Sequence, residues 1–414
     1  MKLSSYAAAL SAGALLCLSA PGLAQTPAAK PAQNAPPIKI GVLTDLSGVV
    51  ADATGKGSVE AARIAAEEAG GSVLGRHIEV IAADHQHKPD IGASIARKWY
   101  DVDGVDVIVD LPNSSVALAV QNIARAKKKI VMFSSAGTTA LSQAQCSPYG
   151  VQWTYTTYAL ARGTASAVVK TGQKSWFILA SDYAFGKQLA KDTSDVVKAN
   201  GGKVLGTIYH PLNASDFSSF LLQAQGSKAQ IIALANAGGD TINAIKQAAE
   251  FGIGKGGQKL AAMLLMITDV HSLGLKTAQG TYLTTPSYWD ANDGTRAFTK
   301  KFEARVGKPP TFLQAGVYGS VRHYLQAVKA AGSDDADKVM AEMRKLPIDD
   351  PFSSHAHLRP DGLVVRDMLL AQVKTPEQST RPWDYYHIVA TIPGKDLVWP
   401  LADSTCPLVK HDGK

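Results

Sequence analysis

Short apolar runs alternate with helix-forming stretches along most of this chain, and that alternation restricts the fold more than any other feature. IKIGVLT, at Ile38 to Thr44, reads as a β-strand. It is followed by an alanine-rich helical stretch from about Gly57 that stops at Gly70-Gly71. His77 to Ala83 predicts a second strand, Pro89 to Tyr100 a helix, and Val105 to Val109 a strand. Asn113 to Lys128 predicts a helix whose Val116, Val120 and Ile123 share one face, and Lys129 to Phe133 closes the series. Strands this apolar, separated by helices, imply a parallel sheet covered on both faces.

The pattern then restarts. Lys174 to Ala180 and Lys203 to Tyr209 predict strands flanking a helix that begins near Phe185 and ends at Asn200-Gly201-Gly202. Gln230 to Ala235 follows, then a helix from Asp240 to Phe251 and a strand over Leu260 to Ile267. With 414 residues, 46% of them hydrophobic, the chain can bury two cores, so the expectation is an α/β protein of two lobes. From about Asn292 to Leu346 it turns mainly helical, and thereafter shorter and more extended.

Residues 1–24 combine Lys2, an apolar stretch from about Tyr6 to Leu18 and small residues before the end of the segment, which is the pattern of a secretory signal peptide. Gln25 to Pro37, rich in Pro and Ala, predicts a flexible leader. The product is expected to be exported to the periplasm and soluble, because no later segment is apolar for long enough to span a bilayer. Beyond Cys17 the only cysteines are Cys146 and Cys406; export permits a disulfide between them, and two separately buried thiols is the alternative. The net charge of +7 is scattered, and the longest basic run, Lys127 to Lys129, closes a predicted helix. Nucleic acid is therefore not an expected partner.

Catalytic signatures fail on spacing. The loop after Thr44 lacks GxGxxG, Gly55-Lys56-Gly57-Ser58 has the wrong spacing for a phosphate loop, and no GxSxG occurs. His85 with His87, and His355 with His357, could each put two imidazoles on one side of a strand, but neither pair has a third ligand at helical spacing. They read as exposed loop histidines, and no metal or cofactor is expected. Small polar residues instead cluster behind the strands, where doubly wound sheets bind ligands. In the first lobe these are Asp45-Leu46-Ser47-Gly48, Asn113-Ser114-Ser115 and Ser134 to Thr139. In the second they are Ser181-Asp182-Tyr183-Ala184-Phe185-Gly186, Asn236-Ala237-Gly238-Gly239-Asp240 and Thr268-Asp269. Helix capping is the plain alternative for each loop, including Asp240.

The segments IKIGVLTDLSG, GVDVIVDLPNSS, KKIVMFSSAGTT, WFILASDYAFG and IIALANAGGDTINAIKQAAEFGI, in this order, resemble type I periplasmic substrate-binding proteins of ABC transporters, in the leucine/isoleucine/valine-binding branch. The resemblance runs from Ile38 to about Ile392. It implies two Rossmann-like lobes with parallel sheets joined by a three-segment hinge: residues 38–155 with 286–365, and residues 156–285 with 366–392, followed by an extension over 393–414. It also implies that Asn113, Ala136 and Thr138 hold a ligand carboxylate, facing Phe185, Ala237 and Asp269. Ser114, Asp182 and Asn236 share these loops and are further candidates.

Ala53 and Ala237 stand where amino-acid-binding relatives often carry a large aromatic residue, and Thr268 competes with Asp269 as the match to the amine-binding acid. A roomier pocket favours an aromatic carboxylate stacked on Tyr155, Tyr183, Phe185 or Trp289. The expected role is a monomeric, non-catalytic receptor delivering a small carboxylate to an ABC permease and its ATPase subunits. The alternatives are a branched-chain or other amino acid as ligand, a sensor feeding a chemoreceptor or kinase, or a hydrolase or amidase using a Ser or Asp in the same cleft.

Overall fold

The computed structural model describes residues 35–254, 257–353 and 355–410. The expected signal peptide and the leader up to residue 34 lie outside the described residues.

The first lobe is built on β1 (Ile38–Thr44), β2 (Ser72–Val73), β3 (Arg76–Asp84), β4 (Val107–Asp110), β5 (Ile130–Phe133) and β6 (Gly150–Gln152), in the order β2-β3-β1-β4-β5-β6. All pairs are parallel except the short β2–β3 hairpin. Side chains alternate across a strand, so each strand feeds two cores. Ile40, Val42, Val107, Val109 and Met132 pack against helices Gly55–Glu68, Asp293–Val306, Phe312–Ala331 and Ala336–Lys345. Leu43, Ile108, Val131 and Phe133 pack against Pro89–Asp101 and Ser114–Lys127. The late helical region, which the sequence left unplaced, thus covers one face of the first sheet.

The second lobe carries β7 (Ser175–Ser181), β8 (Lys203–His210), β9 (Ile231–Ala235) and β10 (Lys259–Ala262), all parallel and ordered β10-β9-β7-β8. Trp176, Ile178 and Ala233 face the helices over 157–170 and Ala184–Ala199, whereas Leu179, Ile232 and Leu234 face Ser218–Gly226, Gly239–Glu250 and Ile267–Leu273. The strand expected over Leu260 to Ile267 ends at Ala262, and Ile267 opens a helix whose Asp269 side chain accepts the Met266 N–H at 2.9 Å. An unbroken apolar run does not reveal where pairing stops.

Parallel sheets alone do not describe this lobe. β11 (Tyr282–Thr285), β14 (Met368–Val373) and β15 (Tyr386–Ile392) form an antiparallel sheet in the order β11-β14-β15; between β11 and β14 the chain returns to the first lobe's core, where β12 (His357–Leu358) and β13 (Val364–Val365) form a small hairpin. The helix over 157–170 contains a π-turn at Ala161–Ala165. There Gly163 lies so close to Thr284 that a Cβ would overlap its hydroxyl.

The chain passes between lobes after β6, after β11 and after β13. Buried Arg366 ties two of these crossings together, donating to the Trp153 carbonyl at 2.7 Å with its guanidinium 5.5 Å from the Trp153 ring centroid. Burial pushes its pKa down to about 10. A C-terminal strap then returns across the hinge. Leu397 joins the second lobe's core, Arg162 donates to the Asp396 carbonyl, and Arg359 of the first lobe donates to the Trp399 carbonyl at 2.8 Å. Cys406 is bonded to Cys146 with the Cα atoms 5.6 Å apart. Replacing both cysteines with serine should lower the unfolding free energy by about 2–5 kcal/mol, as for other native disulfides of exported proteins. Urea denaturation checks this, and an unchanged midpoint would show that the strap holds without its covalent pin.

Candidate functional site

The carboxyl ends of both parallel sheets face each other, and the first lobe's loops there are organised by Asp45. One carboxylate oxygen accepts the Ser47 and Gly48 amides, and the other accepts the Val50 amide at 3.0 Å and the His87 ring at 2.7 Å. Burial alone would raise the Asp45 pKa, but His87 and the Gly48 and Val50 amides hold it below the usual carboxylate range. His87 Nδ1 lies 3.1 Å from Asn113 Nδ2, while Asn113 Oδ1 accepts the Ser115 and Val116 amides as N-cap of helix Ser114–Lys127. The Asn113 amide is thus the donor, so His87 accepts at Nδ1 and donates Nε2–H to Asp45.

Neither His85 nor His87 is an exposed loop residue. The His87 side chain is 5% exposed, and His85 is fully buried with its pKa pushed down to about 4 by desolvation. Sequence spacing gave no sign that both rings would turn inward beneath the other lobe. His355, by contrast, is exposed beside Asp367. Among the described residues, no cluster of three or more His, Cys, Asp or Glu could hold a metal.

Asp110 and Leu111 are both buried at positive φ, 83° and 60°, just before Asn113. Such geometry costs on the order of 1–3 kcal/mol per residue and persists only where the surroundings enforce it. Here the Leu111 amide bonds the Leu43 carbonyl, and the Ser135 amide and hydroxyl bond the Asp110 carbonyl and carboxylate. Burial raises the Asp110 pKa to about 6. The turn directs the N-terminus of helix Ser114–Lys127 towards the cleft. Ser114 Oγ accepts the Thr138 amide at 3.3 Å and keeps its own proton for another acceptor. Asn113, Ser114, Ala136 and Thr138 are therefore brought together, all nearly inaccessible to solvent. Ser134 is used internally, against Ser320.

On the second lobe, Phe185 packs against Gly137 of the first, and Tyr155, whose hydroxyl donates to the Ser135 carbonyl at 3.0 Å, lies beside both. Tyr183 and Ala237 border the same apolar cluster as Val50, Ala53 and Phe312. Asp269 is buried, its pKa raised by desolvation to about 7, and the neighbouring Thr268 hydroxyl has no partner among the described residues. Other candidates sit differently. Asp182 is half exposed and paired with Lys187 at 2.8 Å. Asn236 is locked between His210 and the Thr241 hydroxyl. Asp240 does not cap its own helix but accepts the Asn213 and Ala214 amides. Trp289 lies outside the cleft, donating to the Trp383 carbonyl.

Hydrogen bonds also join the jaws: the Gly239 amide donates to the Val49 carbonyl at 3.0 Å, and the Ala184 amide to Ser115 Oγ at 3.4 Å. Chemically this is a grip, since both nitrogens of His87 are engaged by Asp45 and Asn113 and neither is free to activate a nucleophile.

The sequence profile of the family described as "Periplasmic binding protein" matches residues 37–380. The chain belongs to this family. A periplasmic binding protein from Burkholderia mallei is 53% identical over 90% of this chain and 99% of that one, with a TM-score of 0.89. A branched chain amino acid ABC transporter periplasmic ligand-binding protein from Burkholderia xenovorans is 42% identical over 90% and 100%, with a TM-score of 0.81. A Leu/Ile/Val-binding protein homolog 6 from Brucella melitensis is 26% identical over 74% of this chain and 80% of its own length. This periplasmic binding protein is accordingly a non-catalytic, solute-binding component of ABC import, with the bilobed type I fold.

Gly238 sets a steric limit on closure. Its φ of 57° and ψ of −129° suit glycine alone, and a Cβ there would overlap the Val49 carbonyl. Gly238→Ala should weaken ligand binding by about tenfold or more by disfavouring the closed form. Calorimetry and small-angle scattering check this, and unchanged closure with full affinity would remove the Val49 contact from the mechanism.

Proposed function

We propose that the cleft captures an α-amino acid and that the closed, loaded monomer is presented to a membrane permease with ATPase subunits. One observation carries this reading: opposite charges have prepared partners on opposite jaws. The hydroxyls of Ser114 and Thr138 and the helix N-terminus behind Asn113 suit a carboxylate. Asp269, one oxygen of which is taken by the Met266 amide, suits an ammonium with the other. The name of the Burkholderia xenovorans relative supports an aliphatic branched-chain ligand. The moving bodies are taken to be 38–155 with 286–365 and 156–285 with 366–392, with the described residues from 393 to 410 as strap, a division supported by the separate cores on the two parallel sheets. Capture at micromolar affinity needs about 8 kcal/mol.

A second reading, an aromatic carboxylate without an amine, is favoured by the small Ala53 and Ala237 beside Tyr155, Tyr183 and Phe185.

The titration of Asp269 separates the two. A buried acid with a pKa of about 7 must lose its proton before it can pair with an ammonium, so the leucine affinity should fall as pH drops through 7. Between about pH 8 and pH 5.5 the expected loss is up to about 30-fold. In Asp269→Asn, calorimetry should find leucine binding greatly weakened and its pH slope gone. If benzoate binds and leucine does not, the amino-acid reading fails and the aromatic one takes its place. Thr138→Val should weaken either ligand by about 1–3 kcal/mol, by removing a donor from a buried anion; unchanged affinity would exclude that loop.

A further inference from the structure

The antiparallel sheet of the second lobe is only partly covered on its outer face. β10 and β11 are each the last strand of their sheet, so two free edges border a groove of about 410 Å³. The final turns of the helix over 157–170 form one wall through Val168; Leu260, Tyr282, Leu370 and Val389 supply much of the apolar surface, and Thr171, Gln173 and Gln372 add neutral polar groups. Val389 is 45% exposed there, although Ala371 and Val373 of the adjoining strand are fully packed on the opposite face. The apolar lining is therefore a surface the fold leaves unfilled. At its rim stands Lys259, an exposed residue that enters no ion pair among the described residues.

The groove is separate from the cleft. Lys259 and Ile231, which both line it, open their strands, whereas the cleft loops follow the strands' carboxyl ends. A strand of four or five residues puts the two sites roughly 15 Å apart.

We infer that this groove is a second binding site, for an amphipathic monocarboxylate whose hydrocarbon body lies on Leu260, Leu370 and Val389 and whose carboxylate meets the Lys259 ammonium. Its volume is in the range of small-molecule sites, and an apolar floor with one cation at the rim matches a single anionic head on an apolar tail. The other polar lining groups, Thr171, Gln173 and Gln372, are neutral, so Lys259 is the charged group among the described lining residues. The inference does not depend on the identity of the cleft ligand.

Octanoate and octanol are suitable probes, titrated by calorimetry into the full exported chain. Wild type should bind one octanoate, and octanol more weakly. Lys259→Gln should lower octanoate affinity by about tenfold while leaving octanol unchanged, since only the charged head loses its partner. Val389→Trp should abolish both, and leucine should displace neither. Absence of octanoate binding, binding indifferent to both substitutions, or displacement by leucine would each overturn the assignment. Lys259→Gln lies on the surface and preserves the fold, so the test stands even if the tryptophan variant is unstable.

Discussion

Bringing two α/β lobes together at the carboxyl ends of their sheets buries a set of polar loops, and each polar group there must find a partner or carry a desolvation cost. The Asp45 carboxylate answers most of that demand on the first jaw. It gathers the Ser47, Gly48 and Val50 amides into one turn and fixes the His87 ring. His87 in turn orients Asn113, and Asn113 caps the helix whose N-terminus faces the cleft. The same turn presents the Val49 carbonyl to Gly239 on the other lobe, so one buried anion sets both the shape of the first jaw's polar loops and a place where the jaws meet.

The second jaw relies on desolvation rather than on pairing. Burial raises the pKa of Asp240 to about 6 and of Asp269 to about 7. The hinge opposes free motion in a different way. Arg366 clamps two crossings, while the strap, pinned at Cys406, adds a fourth connection between the lobes.

Much of the fold was legible because periodicity reports burial. Ile38–Thr44 and Ile231–Ala235 are core strands and were readable as such, and Gly70-Gly71 and Gly201-Gly202 mark helix ends. The antiparallel sheet was not legible, because β11 and β14 are about 80 residues apart and their pairing depends on the hinge crossings. The run from Leu260 to Ile267 shows the limit from the other side. All its residues are apolar, yet the strand Lys259–Ala262 covers only its first three, and the last bond to β9 is from the Met263 amide to the Leu234 carbonyl. Among site candidates, the loops around Asn113, Ala136 and Thr138 were legible as polar loops behind apolar strands, and the fold buries them together there. Asp182 and Asn236 share that position but turn elsewhere, towards Lys187 and His210.

By itself the sequence determined the alternation of strands and helices, hence two doubly wound lobes and the ends of the sheets at which a ligand would sit, since those follow from local burial and turn chemistry. Tertiary structure decided which polar side chains are held inside. His85, His87 and Asp45 carry no local mark of burial; they are enclosed because three adjacent strands end side by side under a second lobe. The pairing of Cys146 with Cys406 is of the same kind, because a bond across 260 residues depends on where the whole chain has brought its ends.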